Sequence, residues 1–266
     1  MNKKNRGGGE LVRLPVLVEH EWSNTERGEQ RYFRFSLCYS SNYTQSLQVV
    51  DILHPYELDY LNQGLADRRK QSYLAGRYAA KCSLSGAIGE GRLNQIWIDR
   101  GILDHPIVVH PNKQNMQVSI THCDELGAAL AFPEAVPMGI DIERIDPTRI
   151  DLFLSQLTDW EKGFIEDLPF STEATLTMFW TAKESLSKVL KTGLTTCFSL
   201  YELQKPTTVD VDAGIVRSLF THFPQYQTVS VIFGMYVCSI TYPKKLCIDF
   251  TQFLNTLNER LRLCLT

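Results

Sequence analysis

In the segment Gly139-Ile140-Asp141-Ile142-Glu143 two carboxylates stand one residue apart, and further on Trp180-Thr181-Ala182-Lys183-Glu184-Ser185 is followed by Lys188. A strand repeats every two residues, so Asp141 and Glu143 share one face and Ile140 and Ile142 the other. Neighbouring carboxylates repel unless a cation or a proton separates them. Oxygen ligands suit magnesium, which keeps several waters and shares its shell with substrate phosphates. Taken alone, the pair is better explained as a solvated acidic face on an edge strand, because charged side chains are mostly exposed.

The second segment shifts that balance. Helical spacing aligns Trp180, Glu184 and Lys188 on one face, with Lys183 adjacent. Glu184 and Lys188 also make a routine helix pair worth about 0.2–0.5 kcal/mol, and Trp180 is most simply a core residue. Yet an apolar run, Met178-Phe179-Trp180, leads straight into Lys-Glu-Ser, which puts charge at the rim of a buried face. Three carboxylates beside two lysines suit a divalent cation clamped against a phosphorylated ligand. Thr121-His122 follows the apolar run Val118–Ile120. A histidine at a strand end can bond a phosphate, although an ordinary satisfied histidine is the better explanation in isolation. Arg68, Arg69, Lys70, Arg77 and Lys81 oppose only Asp67. They form either a solvated helix face or a phosphate-binding patch. The sequence has no P-loop, no Gly-x-Ser-x-Gly elbow and no His-Glu-x-x-His zinc motif.

Elements must position these groups. Tyr32–Tyr39 alternates as a strand, and His54-Pro55 opens a helix with proline in its first turn. A longer helix is expected over Asp67–Leu84, with Gly86, Gly89 and Gly91 as breakers. Strands are expected at Ile96–Ile98, Ile107–Val109, Gln117–Ile120 and Gly127–Phe132, then at the segment around Asp141. Helices follow at Asp151–Leu157, Asp159–Asp167 and Ser171–Lys191, the last capped by Ser171 and stopped by Gly193. Val229–Thr241 suggests a hairpin broken at Gly234, and Phe250–Leu265 an amphipathic helix. Residues 1–10 are expected to be disordered. The remainder divides at Pro133–Pro137 into halves at 11–135 and 136–266. A weak repeat links them: Glu57 precedes Arg77 as Glu161 precedes Lys183, each after an aromatic residue at a helix start. Chance explains one such coincidence as well as duplication does.

The 266 residues are 44% hydrophobic and 21% charged, with a formal net charge of −3. That is an ordinary globular composition, and it opposes a general nucleic-acid coat. Seven widely spaced cysteines without a Cys-x-x-Cys fit reduced thiols better than a disulfide frame or a zinc site. No run approaches the roughly 18–20 apolar residues of a membrane helix, and the basic N-terminus lacks the apolar core of a signal peptide. A cytoplasmic protein without a membrane partner is expected.

The ordered set Arg77, Thr121-His122, Gly139-Ile-Asp141-Ile-Glu143 and Trp180-x-x-Lys183-Glu184-Ser185-x-x-Lys188 resembles the 4′-phosphopantetheinyl transferases. It is most similar to the larger, monomeric surfactin-synthetase-activating type, over roughly residues 50–245. The resemblance implies an α+β fold of two similar halves related by a pseudo-two-fold axis, with coenzyme A between them. It implies transfer of phosphopantetheine from coenzyme A to a serine of an acyl or peptidyl carrier protein, leaving adenosine 3′,5′-bisphosphate. It further implies magnesium (or manganese) on Asp141, Glu143 and Glu184. Lys188 would contact the pyrophosphate, and Glu184 would also serve as base. Thr121, His122, Lys183, Arg68 and Arg77 would contribute to coenzyme A binding. Departures lie on the nucleotide side. Relatives often carry Gly-Lys-Pro where this chain has Asp104-His105-Pro106, Thr121 replaces a common serine, and Ile145 replaces a common polar residue. A non-catalytic paralogue that binds coenzyme A or a carrier protein is the rival expectation. A metal-dependent phosphoesterase is a third.

Overall fold

The computed structural model describes residues 13–26, 28–110 and 115–265. Residues 1–10 lie outside the described residues. Eleven strands are described: β1 (Val16–Glu26), β2 (Glu29–Tyr39), β3 (Trp97–Arg100), β4 (Pro106–Val109), β5 (Met116–Cys123), β6 (Leu126–Pro133), β7 (Gly139–Arg144), β8 (Thr208–Asp210), β9 (Ile215–Leu219), β10 (Tyr226–Phe233) and β11 (Tyr236–Pro243). The helices are α1 (Tyr43–Ser46), α2 (Pro55–Leu61), α3 (Asp67–Ile88), α4 (Ile150–Ser155), α5 (Asp159–Lys162), α6 (Thr172–Leu190) and α7 (Thr251–Leu265). One antiparallel sheet has the order β1-β2-β6-β5 and a second the order β7-β11-β10-β9-β8, while β3 and β4 form a separate ribbon. The architecture is α+β, as the sequence leads one to expect.

Strand alternation builds the layers. Phe33, Phe35, Leu37, Ala128 and Leu130 of the first sheet share a core with Ile140, Ile142, Val229, Val231 and Ile240 of the second. The opposite face of the first sheet, with Cys38, Val118, Ala129 and Ala131, packs on Ala75, Ala79 and Leu84 of α3. The outer face of the second, with Val216 and Val237, packs on Leu176, Phe179 and Leu186 of α6. Helix α7 returns to the central core, where Phe253 meets Trp22 and Phe35 at centroid distances of 5.1 and 4.8 Å. The end of the chain thus closes over strands from its beginning.

The weak repeat in the sequence corresponds to a repeated buried ion pair. Glu57 accepts from His54 N (2.8 Å), Ile98 N (3.2 Å) and Lys81 Nζ (2.6 Å). Glu161 accepts from Thr158 N (2.8 Å), Leu203 N (2.9 Å) and Lys183 Nζ (2.7 Å). Both glutamates close a capping box at the start of a short helix, and both lysines sit on the following long helix. The remaining lysine protons reach carbonyls: Leu93 and Ile96 for Lys81, Gln156 and Phe198 for Lys183. The residue that corresponds to Lys183 in the structure is Lys81, one helical turn after the Arg77 of the sequence repeat; Arg77 Nε stands 3.8 Å from Glu57.

Other expectations need correction. Helix α5 ends at Lys162 because Phe164, Ile165 and Leu168 turn under α6 to be buried there. Helix α6 ends with Lys191 in the left-handed region, φ +56°, two residues before Gly193. Strands β1, β8 and β9 were not anticipated. β1 pairs along its whole length with β2 and buries Val18 and Trp22, an inward pattern too sparse to stand out among its glutamates.

Each lysine of the repeated pairs is fully buried. Lys183→Met leaves Glu161 as an uncompensated buried charge and is expected to cost about 3–5 kcal/mol of stability, read by urea unfolding. A loss below about 1 kcal/mol, the range of an exposed pair, would show the pair to be dispensable.

Candidate active site

The edge strands β5 and β7 meet where the two sheets join. β7 has a hydrogen-bonded strand neighbour on one side only, so its other edge needs acceptors. Ser119 Oγ accepts from Ile140 N at 3.1 Å, and Thr121 Oγ1 accepts from Ile142 N at 3.2 Å. Thr121 gives its own proton to Asp141 Oδ1 at 2.9 Å. On the other face, α6 lies directly on β7: a Cβ at Gly139 would stand 2.0 Å from Ser185 O. Only glycine permits that approach, and the approach brings Lys188 to Asp141. Lys188 Nζ donates to Asp141 Oδ1 at 2.8 Å and to Ile140 O at 2.9 Å. Arg149 Nη1 donates to Glu143 Oε2 at 2.5 Å.

The electrostatics record the crowding of acids. Burial, followed by Asp141, pushes Glu184 up to about 7. Glu143 is raised by burial even with Arg149 against it. Surrounding protein, then the Lys188 cation, hold the His122 imidazole below its usual value, although much of the ring's surface stays open. Asp141 Oδ2 is buried without a partner. Among the described residues no three histidine, cysteine or acidic side chains already converge as a closed metal site. Lys188 and Arg149 occupy Asp141 and Glu143 instead. The donor set nevertheless fits a hard divalent cation, since an orphaned carboxylate oxygen and a glutamate driven toward neutrality both gain from added positive charge.

Two adjoining cavities flank this seam. One is lined by Glu184, Ser187, Lys188 and Lys191 with Gln117, Ser119 and Ile120. The other, of about 330 Å³, is lined by Arg69, Arg77, Arg100, Tyr60, Tyr73, Thr121 and His122. Asp104, Pro106 and Ile120 border both, so an end with Glu184 and two lysines and an arginine-rich end adjoin across β5.

The structure brings Glu184 and Lys188 together with Asp141 and Glu143, and it places His122 and Arg77 in the second cavity. Arg77 is largely buried, with its guanidinium 5.1 Å from the Tyr73 ring centroid. Two expected ligand residues fall elsewhere, and a third, Thr121, lines the second cavity with its hydroxyl already engaged. Lys183 is buried against Glu161, with its donors consumed there. Arg68 is exposed and meets Asp124 at 3.3 Å; one helical step on, Arg69, also exposed, lines the second cavity instead. The Thr121 hydroxyl is used by Asp141 and Ile142, so it positions the carboxylate and has no proton left for a ligand. Sequence reasoning missed Arg100, Arg149 and Lys191. Of the residues that line the second cavity, Arg69 and Arg77 stood in the basic run of the sequence. Thr121→Val should leave Ile142 N unpaired and Asp141 one donor short. The expected cost is about 1–3 kcal/mol in urea unfolding, and a change within about 0.5 kcal/mol, as at an ordinary surface site, would contradict the seam described here.

Residues 137–241 match the family model of the 4′-phosphopantetheinyl transferase superfamily. A holo-[acyl-carrier-protein] synthase from Exiguobacterium sibiricum is 37% identical over 75 residues, covering 26% of this chain and 59% of that relative. The chain therefore spans little more than half of that curated relative's length. A solved holo-(acyl-carrier-protein) synthase from Bacillus anthracis strain Ames, in complex with coenzyme A (3′,5′-ADP), is 19% identical. It covers 45% of this chain and 96% of its own, with a TM-score of 0.32. The matched region begins two residues before Gly139 and contains Asp141, Glu143, Glu184 and Lys188, so the part of the chain that carries the seam is the part that is similar to the 4′-phosphopantetheinyl transferase superfamily.

Proposed function

We propose that this protein transfers 4′-phosphopantetheine from coenzyme A to a serine of an acyl or peptidyl carrier protein, leaving adenosine 3′,5′-bisphosphate. The observation that carries this reading is the composite site inside the matched region. Asp141 is fixed at the seam, Lys188 and Glu184 stand over it, and an arginine-rich cavity adjoins it. A polyanion with a pyrophosphate in the middle and a phosphorylated nucleoside at one end matches that polarity. The pyrophosphate belongs at Lys188, and the nucleotide end at Arg69, Arg77, Arg100 and His122.

In the reaction, the serine oxygen forms a bond to the β-phosphorus of the pyrophosphate, and the bond from that phosphorus to the bridging oxygen breaks. Asp141, Glu143 and Glu184 would hold magnesium or manganese, which neutralises and orients pyrophosphate charge when bound. Lys188 is anchored by Ile140 O as well as Asp141, so it presents its cation from a fixed point. A phosphate on His122 would favour the imidazolium, adding charge only when the ligand is present. Glu184 takes the serine proton directly or through water. Without a cation its carboxyl is raised to about 7; a divalent cation on the same carboxylate would draw it down and make it a weaker base.

The test is to incubate the protein with apo carrier, coenzyme A and magnesium, and to weigh the carrier by mass spectrometry. The carrier is expected to gain one phosphopantetheine. A carrier that stays unmodified across several carrier types would overturn the reading, and hydrolysis of coenzyme A without a carrier would indicate a phosphoesterase. Asp141→Ala is expected to reduce kcat/KM by more than about 10³-fold and Lys188→Ala by less, because Asp141 organises several partners and Lys188 supplies one cation. Equal and mild losses would contradict the assignment of Asp141. Removing divalent cations with a chelator should abolish transfer, and adding back magnesium or manganese should restore it. Full activity in the chelator would exclude a required metal.

A further inference from the structure

Arg149 ends the 3₁₀ turn Pro147–Arg149 and reaches back to Glu143 Oε2. Its guanidinium lies 4.5 Å from the Phe153 ring centroid and 5.9 Å from that of Trp180, and these two rings stack at 4.9 Å. The side chain remains 29% exposed. An aromatic bed holds a guanidinium without consuming its hydrogen-bond donors, and arginine stays charged at every accessible pH. Lys188 plays the corresponding part on Asp141. Two of the three carboxylates are therefore neutralised by internal cations from different elements.

A divalent cation that takes up Glu143 meets this guanidinium on the same carboxylate, where the two positive charges oppose each other. The displaced arginine then has a planar fork of donors facing no anion, and that fork matches phosphate geometry. On the reading under Proposed function, the missing anion arrives with the substrate. We propose that Arg149 is a resident counter-ion of Glu143 that holds divalent-cation affinity down until a polyanionic substrate draws the guanidinium away. Arg149 thereby couples cation binding to substrate binding. Linkage makes the coupling reciprocal: whatever factor coenzyme A adds to cation affinity, the cation adds to coenzyme A affinity. In this role Arg149 is a positioning residue, acting through Glu143.

The test uses the full chain and Mn2+ titrations followed by electron paramagnetic resonance, with and without coenzyme A and with no carrier protein. Without coenzyme A, Arg149→Gln should tighten Mn2+ about tenfold, which is about 1.4 kcal/mol. The factor by which coenzyme A tightens Mn2+ should fall by a similar ratio. Arg144→Gln removes the same charge one residue from Glu143, but Arg144 pairs with Asp124 at 3.4 Å. It should change either quantity less than about twofold, as an exposed pair does. Arg149→Lys, which keeps the charge but loses the fork and the stacking, should fall between wild type and Arg149→Gln; it serves if the glutamine variant does not fold. Unchanged or weaker Mn2+ binding in both Arg149 variants, an equal effect of Arg144→Gln, or no Mn2+ binding by the wild type would overturn the proposal. Tightened Mn2+ binding together with an unmodified carrier would remove the transferase reading and leave the competition for Glu143 standing.

Discussion

The Asp141 carboxylate is the point on which the geometry around the seam depends. A buried charge persists only when it is paired and hydrogen-bonded. Here Thr121 supplies a hydroxyl proton from β5, Lys188 supplies a cation from α6, and β7 supplies the backbone. Thr121 has a single proton, so donating to Asp141 leaves its lone pairs for Ile142 N, and one side chain ties both the carboxylate and the strand edge. Three elements from different parts of the chain are thereby fixed around one group. The oxygen that remains, Oδ2, is where further positive charge is favoured.

The two buried lysine–glutamate pairs set the positions of the long helices. Each glutamate first completes the cap of its own short helix and then takes the lysine of the next. Desolvation lowers the pKa of both lysines while the glutamates oppose that shift. The net stabilisation from such a pair is small, but breaking it is costly, and its geometry is specific. Lys183 is thus anchored one residue before Glu184, so burial of the first bears directly on the placement of the second. Ser185, the residue after Glu184, is the point where α6 touches Gly139.

Charge distribution matters more here than total charge. The chain is slightly acidic overall, yet three arginines line one cavity, and Glu184 with two lysines lines its neighbour. The chain departs from the common Gly-Lys-Pro pattern at Asp104-His105-Pro106, and His105 there binds the Ile102 carbonyl at 2.6 Å. Arg69, Arg77 and Arg100 supply the positive charge of that region from α3 and β3.

Much of the architecture was legible because it rests on local periodicity. The hairpin at Gly234, the capped helices at His54-Pro55 and Ser171, and the long helices α3 and α6 follow from turn chemistry and spacing. The motifs around Asp141 and Glu184 were equally legible, since period two and period four each put their carboxylates on one face. What a side chain meets across the fold is a different matter. Lys183 and Glu184 are sequence neighbours, but the turn of about 100° between adjacent helical residues sends one into a buried pair and the other toward the seam. Arg68 and Arg69 are separated in the same way. Arg149 and Arg100 carry no pattern at all; their roles come from a 3₁₀ turn and the end of β3, which tertiary packing brings beside Glu143 and Tyr60. By itself the sequence determined which residues share a face and which segment carries the acids. Only the tertiary structure decided which cation stands against which carboxylate, because ion pairing depends on distances between elements that no local spacing encodes.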